Sequence, residues 1–135
     1  MATTIKQQTK KGKITQIVGV VVDIEFSTGN LPAIYNALTL ELDGKQVTLE
    51  VAQHLSESSV RAIALSSTDG LERGTEVTDT GGAISVPIGD ETLGRMFNVI
   101  GEPIDGKSAN FKQKAPIHRA PPPLIDQSGS VEVME

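Results

Sequence analysis

From Lys13 to about position 90, short runs of alternating apolar and polar residues are separated by glycine-bearing turns. Side chains of a strand point to opposite faces with period two, so such runs read as half-buried strands. In Val20–Phe26, the residues Val20, Val22, Ile24 and Phe26 share one face while Asp23 and Glu25 share the other. The preceding KITQIV is a shorter strand, joined through Gly19, which marks a bulge or tight bend. Leu38, Leu40 and Leu42 alternate with Thr39 and Glu41, and Val47, Leu49 and Val51 answer them after Asp43-Gly44. An Asp-Gly pair between two alternating runs predicts a type I′ hairpin, because both central residues need positive φ.

Three further runs follow: Val60–Leu65, a short one near Thr75–Thr78, and Ala83–Ile88. Gly70 and Gly74 bracket a turn between the first two, and Pro87 lacks a ladder donor, which suits an edge or a strand end. About six short strands with glycine-rich turns indicate an antiparallel barrel or sandwich. With only 3% aromatic residues, its core must be aliphatic, drawing on Val22, Ile24, Leu40, Leu49 and Val51.

At Asp90 the period changes. Leu93, Phe97 and Ile100 fall at i, i+4 and i+7, which predicts a short helix with Asp90 as N-cap, Gly94 inside and Gly101 as the C′ glycine. Beyond Asp105-Gly106 periodicity is lost, and Pro121, Pro122 and Pro123 impose an extended connector. The organisation is therefore a disordered polar arm over 1–12, a barrel over 13–88, and a short helix with an extended connector over 89–135.

The chemistry-bearing residues form no recognisable catalytic set. Gly89 to Met96 has the glycine spacing of a phosphate-binding P-loop, yet Arg95 and Met96 replace its Lys and Ser/Thr, and Asp90 and Glu91 would oppose a triphosphate. His54 and His118 are separated by 63 intervening residues without a metal-ligand spacing, and no serine sits in G-x-S-x-G. Absence of cysteine excludes disulfides and thiolate sites and fits a reducing compartment. A net charge of −5 gives no pull toward phosphate backbones, which argues against nucleic acid as main partner. The longest apolar stretch, around Ile17–Val22, is far shorter than a bilayer span, and the first residues lack a secretory or mitochondrial leader pattern. Residues alone point to a small β-domain serving assembly or interaction.

The ordered blocks GKITQIVGVVVDIEF, LEVAQHL, VRAIALSSTDGLERG, TGGAISVPIGDETLGRMFNVIGEPID and PIHR resemble the amino-terminal region of the catalytic β subunit of F-type ATP synthases, from about Lys13 to Glu135. G-D-E-T-L-G-R and G-E-P-I-D are similar to segments of both α and β subunits and of related rotary or export ATPases. Glu50–Leu55 and Val60–Gly74 look like β rather than α. The resemblance implies a six-stranded barrel followed by the first elements of an incomplete α/β nucleotide-binding domain. It implies alternating α and β partners in a hexameric ring, a γ subunit in the central stalk, and ATP synthesis driven by a proton or sodium gradient. The place implied is the cytoplasmic face of a bacterial plasma membrane, or a plastid thylakoid surface, as a peripheral complex without membrane insertion. MgATP and MgADP belong to the full-length subunit, whose P-loop lies farther along, so no catalytic, cofactor-binding or metal residue carries over and the chain is expected to be inactive alone. Alternatives are a free-standing barrel adaptor of an ATPase ring, or the matching region of an α subunit or a flagellar or secretion ATPase. Gly19, Gly44, Gly70, Gly74 and Gly94 are the candidate structural turns, and Arg61 and Arg95 the candidates for pairing across a subunit boundary.

Overall fold

A computed structural model describes residues 10–108 and 110–127. Most of the polar arm expected over 1–12, and the last residues of the connector, lie outside the described residues. Six strands, β1 (Lys11–Val18), β2 (Val21–Phe26), β3 (Asn36–Leu42), β4 (Lys45–His54), β5 (Ser59–Ala64) and β6 (Glu76–Ala83), close into an antiparallel barrel in the order β1-β2-β5-β4-β3-β6. Lys11 and Gly12, expected in the arm, open the first strand.

Alternation builds the barrel because each strand has one row of aliphatic residues to hide. Val22 on β2 pairs with Ala62, which pairs with Val51, and Leu38 pairs with Leu49, which pairs with Ala64. These rows point inward, where Val22, Ile24, Leu38, Leu49, Val51, Val60, Ala62 and Val77 are fully enclosed. Burying each larger aliphatic side chain contributes about 1.5–3 kcal/mol. Val20 departs from the expected face. It sits with Gly19 in the two-residue turn between Val18 and Val21 and is exposed, because a glycine at φ 59 followed by an ordinary residue follows the type II′ pattern. Gly19 is thus the tight bend of the two expected alternatives, and a separate bulge lies at Thr15, where the β1–β2 register shifts between Ile14 and Gln16.

The β3–β4 hairpin has Asp43 at φ 50 and Gly44 at φ 74, with Leu42 opposite Lys45, the positive φ pair of a type I′ turn. Closure falls to β6, which pairs with both β3 and β1. The β1–β6 seam has only three register pairs, Lys11–Thr78, Gly12–Val77 and Lys13–Glu76. Backbone bonds from Ile14 N to Thr75 O and from Gly74 N to Ile14 O extend it. On its other side β1 is pressed close to β2 at Gly12, where a Cβ would stand 2.9 Å from Glu25 O, Ile24 Cγ2 and Phe26 Cε1.

After the barrel, β7 (Ser85–Ile88) leaves the closed sheet and pairs with β8 (Gln113–Pro116) in a two-stranded ribbon. The barrel thus ends at Ala83 rather than Ile88, and Pro87 lies in a ribbon strand with a single neighbour. No α-helix occurs among the described residues. The helix predicted after Asp90 is replaced by a single 3-10 turn, Asp90–Thr92, and a compact loop. Gly94 takes φ 68 and breaks the helical path, and the Asn98 carboxamide oxygen captures the amides of Ile100 and Glu102. Three apolar residues at helical spacing cannot offset the nucleation cost against such local competition. Leu93 is 76% exposed, and Gly101 serves a close approach rather than a helix cap, since a Cβ there would meet Pro87 Cδ at 2.9 Å.

Replacing Leu49 by Ala should cost about 2–5 kcal/mol in urea unfolding. Gly12→Ala should also destabilise, by forcing Phe26 and the β2 backbone aside.

Candidate assembly surface

Barrel closure leaves the outward rows to meet solvent or partners. One row is polar: Gln16, Asp23, Arg61 and Gln53 are successive cross-strand neighbours on β1, β2, β5 and β4. Asp23, expected to face solvent with Glu25, is instead 8% exposed beneath the Arg61 side chain. Arg61 donates from Nε to Asp23 Oδ1 and from Nη2 to Oδ2, each at 2.8 Å, a bidentate fork. Those hydrogen bonds hold the Asp23 carboxyl below the ordinary carboxylate value, against the opposing effect of partial burial and with help from the Arg61 charge.

The next outward row is apolar. Val18 pairs with Val21 and Val21 with Ile63, so three aliphatic side chains line one side of the wall. Val18 is 61% exposed and Ile63 42%. Ile63 in turn pairs with Glu50, and Glu50 with Ala37, so the same row becomes polar and covered farther round. There His118 Nε2 donates to Glu50 Oε2 at 2.8 Å, and the His118 ring stacks on Tyr35 with centroids 4.0 Å apart.

Arg95 is engaged within the post-barrel loop. Its guanidinium donates from Nε and Nη2 to the two Asp105 oxygens and from Nη2 to the carbonyls of Lys107 and Ser108. The Asp105 carboxyl is held far below the usual carboxylate range, first by that pairing, with amide hydrogen bonds from Lys107 and Met96 assisting and desolvation opposing. Phe111 packs against Phe97 and lies under the guanidinium, 5.2 Å from its carbon to the ring centroid. The segment that shares glycine spacing with a P-loop is therefore a turn whose arginine is already bound.

A model of the ATP synthase alpha/beta family, beta-barrel domain, matches residues 14–81, half of the chain. The chain belongs to this family. The matched residues run from β1 to the body of β6, so the family's barrel and the closed barrel seen here coincide.

Within this ATP synthase family barrel, Arg61 and Arg95 are far apart in role as well as sequence. Arg61 secures the wall, and Arg95 secures the exit loop. All five singled-out turn glycines take φ between 59 and 86. His54 ends β4, its Nε2 donating to the Pro32 carbonyl at 2.8 Å, and Ser56 organises a turn by accepting from the Ser58 and Ser59 amides. No group of three or more His, Cys, Asp or Glu fit to hold a metal occurs among the described residues. Nor is any helix among them long and apolar enough to cross a membrane. Sequence reading missed the pairing of Asp23 with Arg61 and the contact of Tyr35 and Glu50 with His118. The first could have been read once β2 and β5 were known to be neighbours, whereas the second spans 68 positions between Glu50 and His118 and leaves no local signal.

Because the folded Asp23 titrates below its unfolded value near 3.8, its contribution is complete above that pH and is lost as pH falls through the folded value. Asp23→Asn should lower the melting temperature at neutral pH by a few degrees and flatten the acid-side fall, measured by circular dichroism melts across the acid range.

Proposed function

We propose that this chain supplies the amino-terminal barrel of a catalytic β-type subunit, and that its task is to seat that subunit beside α-type barrels in an alternating ring. The observation carrying this reading is the family match over a barrel that closes on itself and presents an apolar outward row. A closed barrel has no free strand edge for adding partners through backbone pairing, so contacts must be made by side chains on its wall and turns. Val18, Val20 and Ile63 are exposed aliphatic residues gathered around the β1–β2 turn and the end of β5, where the Ala64 amide donates to the Val20 carbonyl. Burial of such a patch against a neighbour is favourable roughly in proportion to its area.

The choice of β over α rests on the resemblance of Glu50–Leu55 and Val60–Gly74. Those blocks form the end of β4 and all of β5 but Ser59, with its following turn. In this reading the ATP chemistry, with MgATP or MgADP as ligand, the γ-subunit contact and the gradient-driven cycle belong to the full-length subunit. The barrel itself contributes no group to phosphoryl transfer. Its setting is a peripheral complex at a coupling membrane.

Two measurements test this. Mixed with α-type subunits, the chain should form alternating assemblies visible by native mass spectrometry, and Val18→Lys with Ile63→Lys should abolish them without lowering the barrel's melting temperature. Titration of the isolated chain with MgATP should show no micromolar binding by calorimetry; a saturable heat at that concentration would overturn the division of labour.

A further inference from the structure

We infer that Tyr35, Glu50 and His118 form a latch that holds the departing chain against the barrel wall and sets the direction in which the proline segment leaves. The three residues come from the turn before β3, from β4, and from just after β8. Beside them the Ile117 amide donates to the Ile84 carbonyl at 2.9 Å, and β8 lies along β7. The departing chain is thus tied at its base by one aromatic stack, one His–Glu bond and one backbone bond.

Tyr35 carries the strongest indication that this contact is built. The Asn36 amide donates to the Ala33 carbonyl, and Tyr35 occupies the third turn position with φ 71, a place that favours glycine. A bulky side chain held in the left-handed region is strained, and such strain persists where the side chain is used. Here Tyr35 is 51% exposed and belongs to no core cluster, and its ring stacks on the imidazole face. Just past His118, Pro121–Pro123 form a stiff extended segment, with Pro123 at φ −60 and ψ 152. A stiff segment clamped at its base has a defined heading, and one released at its base does not. Because Tyr35 and His118 are exposed, Glu50 is half-buried, and none of the three belongs to the core cluster, the contact can open without unfolding the barrel.

Hydrogen exchange by NMR on the full chain separates this from a merely structural role. In His118→Ala the Ile117 and β8 amides should exchange about 10-fold faster or more, while Val22 and Leu49 keep their protection. Tyr35→Gly should release the same amides without lowering the barrel's melting temperature, since glycine relaxes the turn, and Tyr35→Phe should retain the latch. The chain has no cysteine, so spin labels at Glu57→Cys and Gln127→Cys can be attached cleanly. Their distance distribution should broaden in His118→Ala. Unchanged Ile117 protection in both His118→Ala and Tyr35→Gly, an unchanged distance distribution, or parallel loss of protection at Val22 and Leu49 would overturn the proposal.

Discussion

The inward rows of aliphatic side chains are the constraint on which the molecule rests. Val51, Ala62 and Val22 make one such row and Leu38, Leu49 and Ala64 another, so the interior is filled mainly by branched and small residues, with Phe26 as the aromatic member of the core cluster. Because the pleat alternates between its bulges, fixing these residues inside fixes their neighbours outside. The polar row anchored by Asp23 and Arg61, and the apolar row of Val18, Val21 and Ile63, follow from that alternation. The chemistry displayed on the wall is thus inherited from packing chemistry within it.

Much of the barrel was legible because its information is local and periodic. Alternation located the strands, and Asp43-Gly44 specified its hairpin without tertiary help, both residues adopting positive φ. The exit loop was misread for a physical reason: Leu93, Phe97 and Ile100 have helical spacing, yet Asn98 takes up backbone amides and Arg95 binds Asp105 ten residues on. Asp23 was misjudged because alternation tells which way a residue points, not whether an arginine on the adjoining strand will cover it. Gly12 gave no signal either, since its need for glycine comes from Phe26 and the β2 backbone across the sheet.

The candidate surface divides along the same line. Exposed aliphatics on an outward row can be inferred once strand order is known, whereas contacts between Tyr35, Glu50 and His118 require the path of the chain after the barrel. Family membership and the closed sheet agree over residues 14–81, and the contacts beyond that range belong to the exit.

The double pairing of β6 has a consequence for synthesis on the ribosome. As the last barrel strand in the chain, it must emerge before either β1 or β3 gains its second neighbour. Until then both present open edges of the kind that recruit other chains. Translation at about 5–20 residues per second makes this a window of seconds, during which the nascent sheet is open and its aliphatic face uncovered. The lysines on β1, at positions 11 and 13, lie on the edge that waits longest, where charge discourages mispairing until the seam closes.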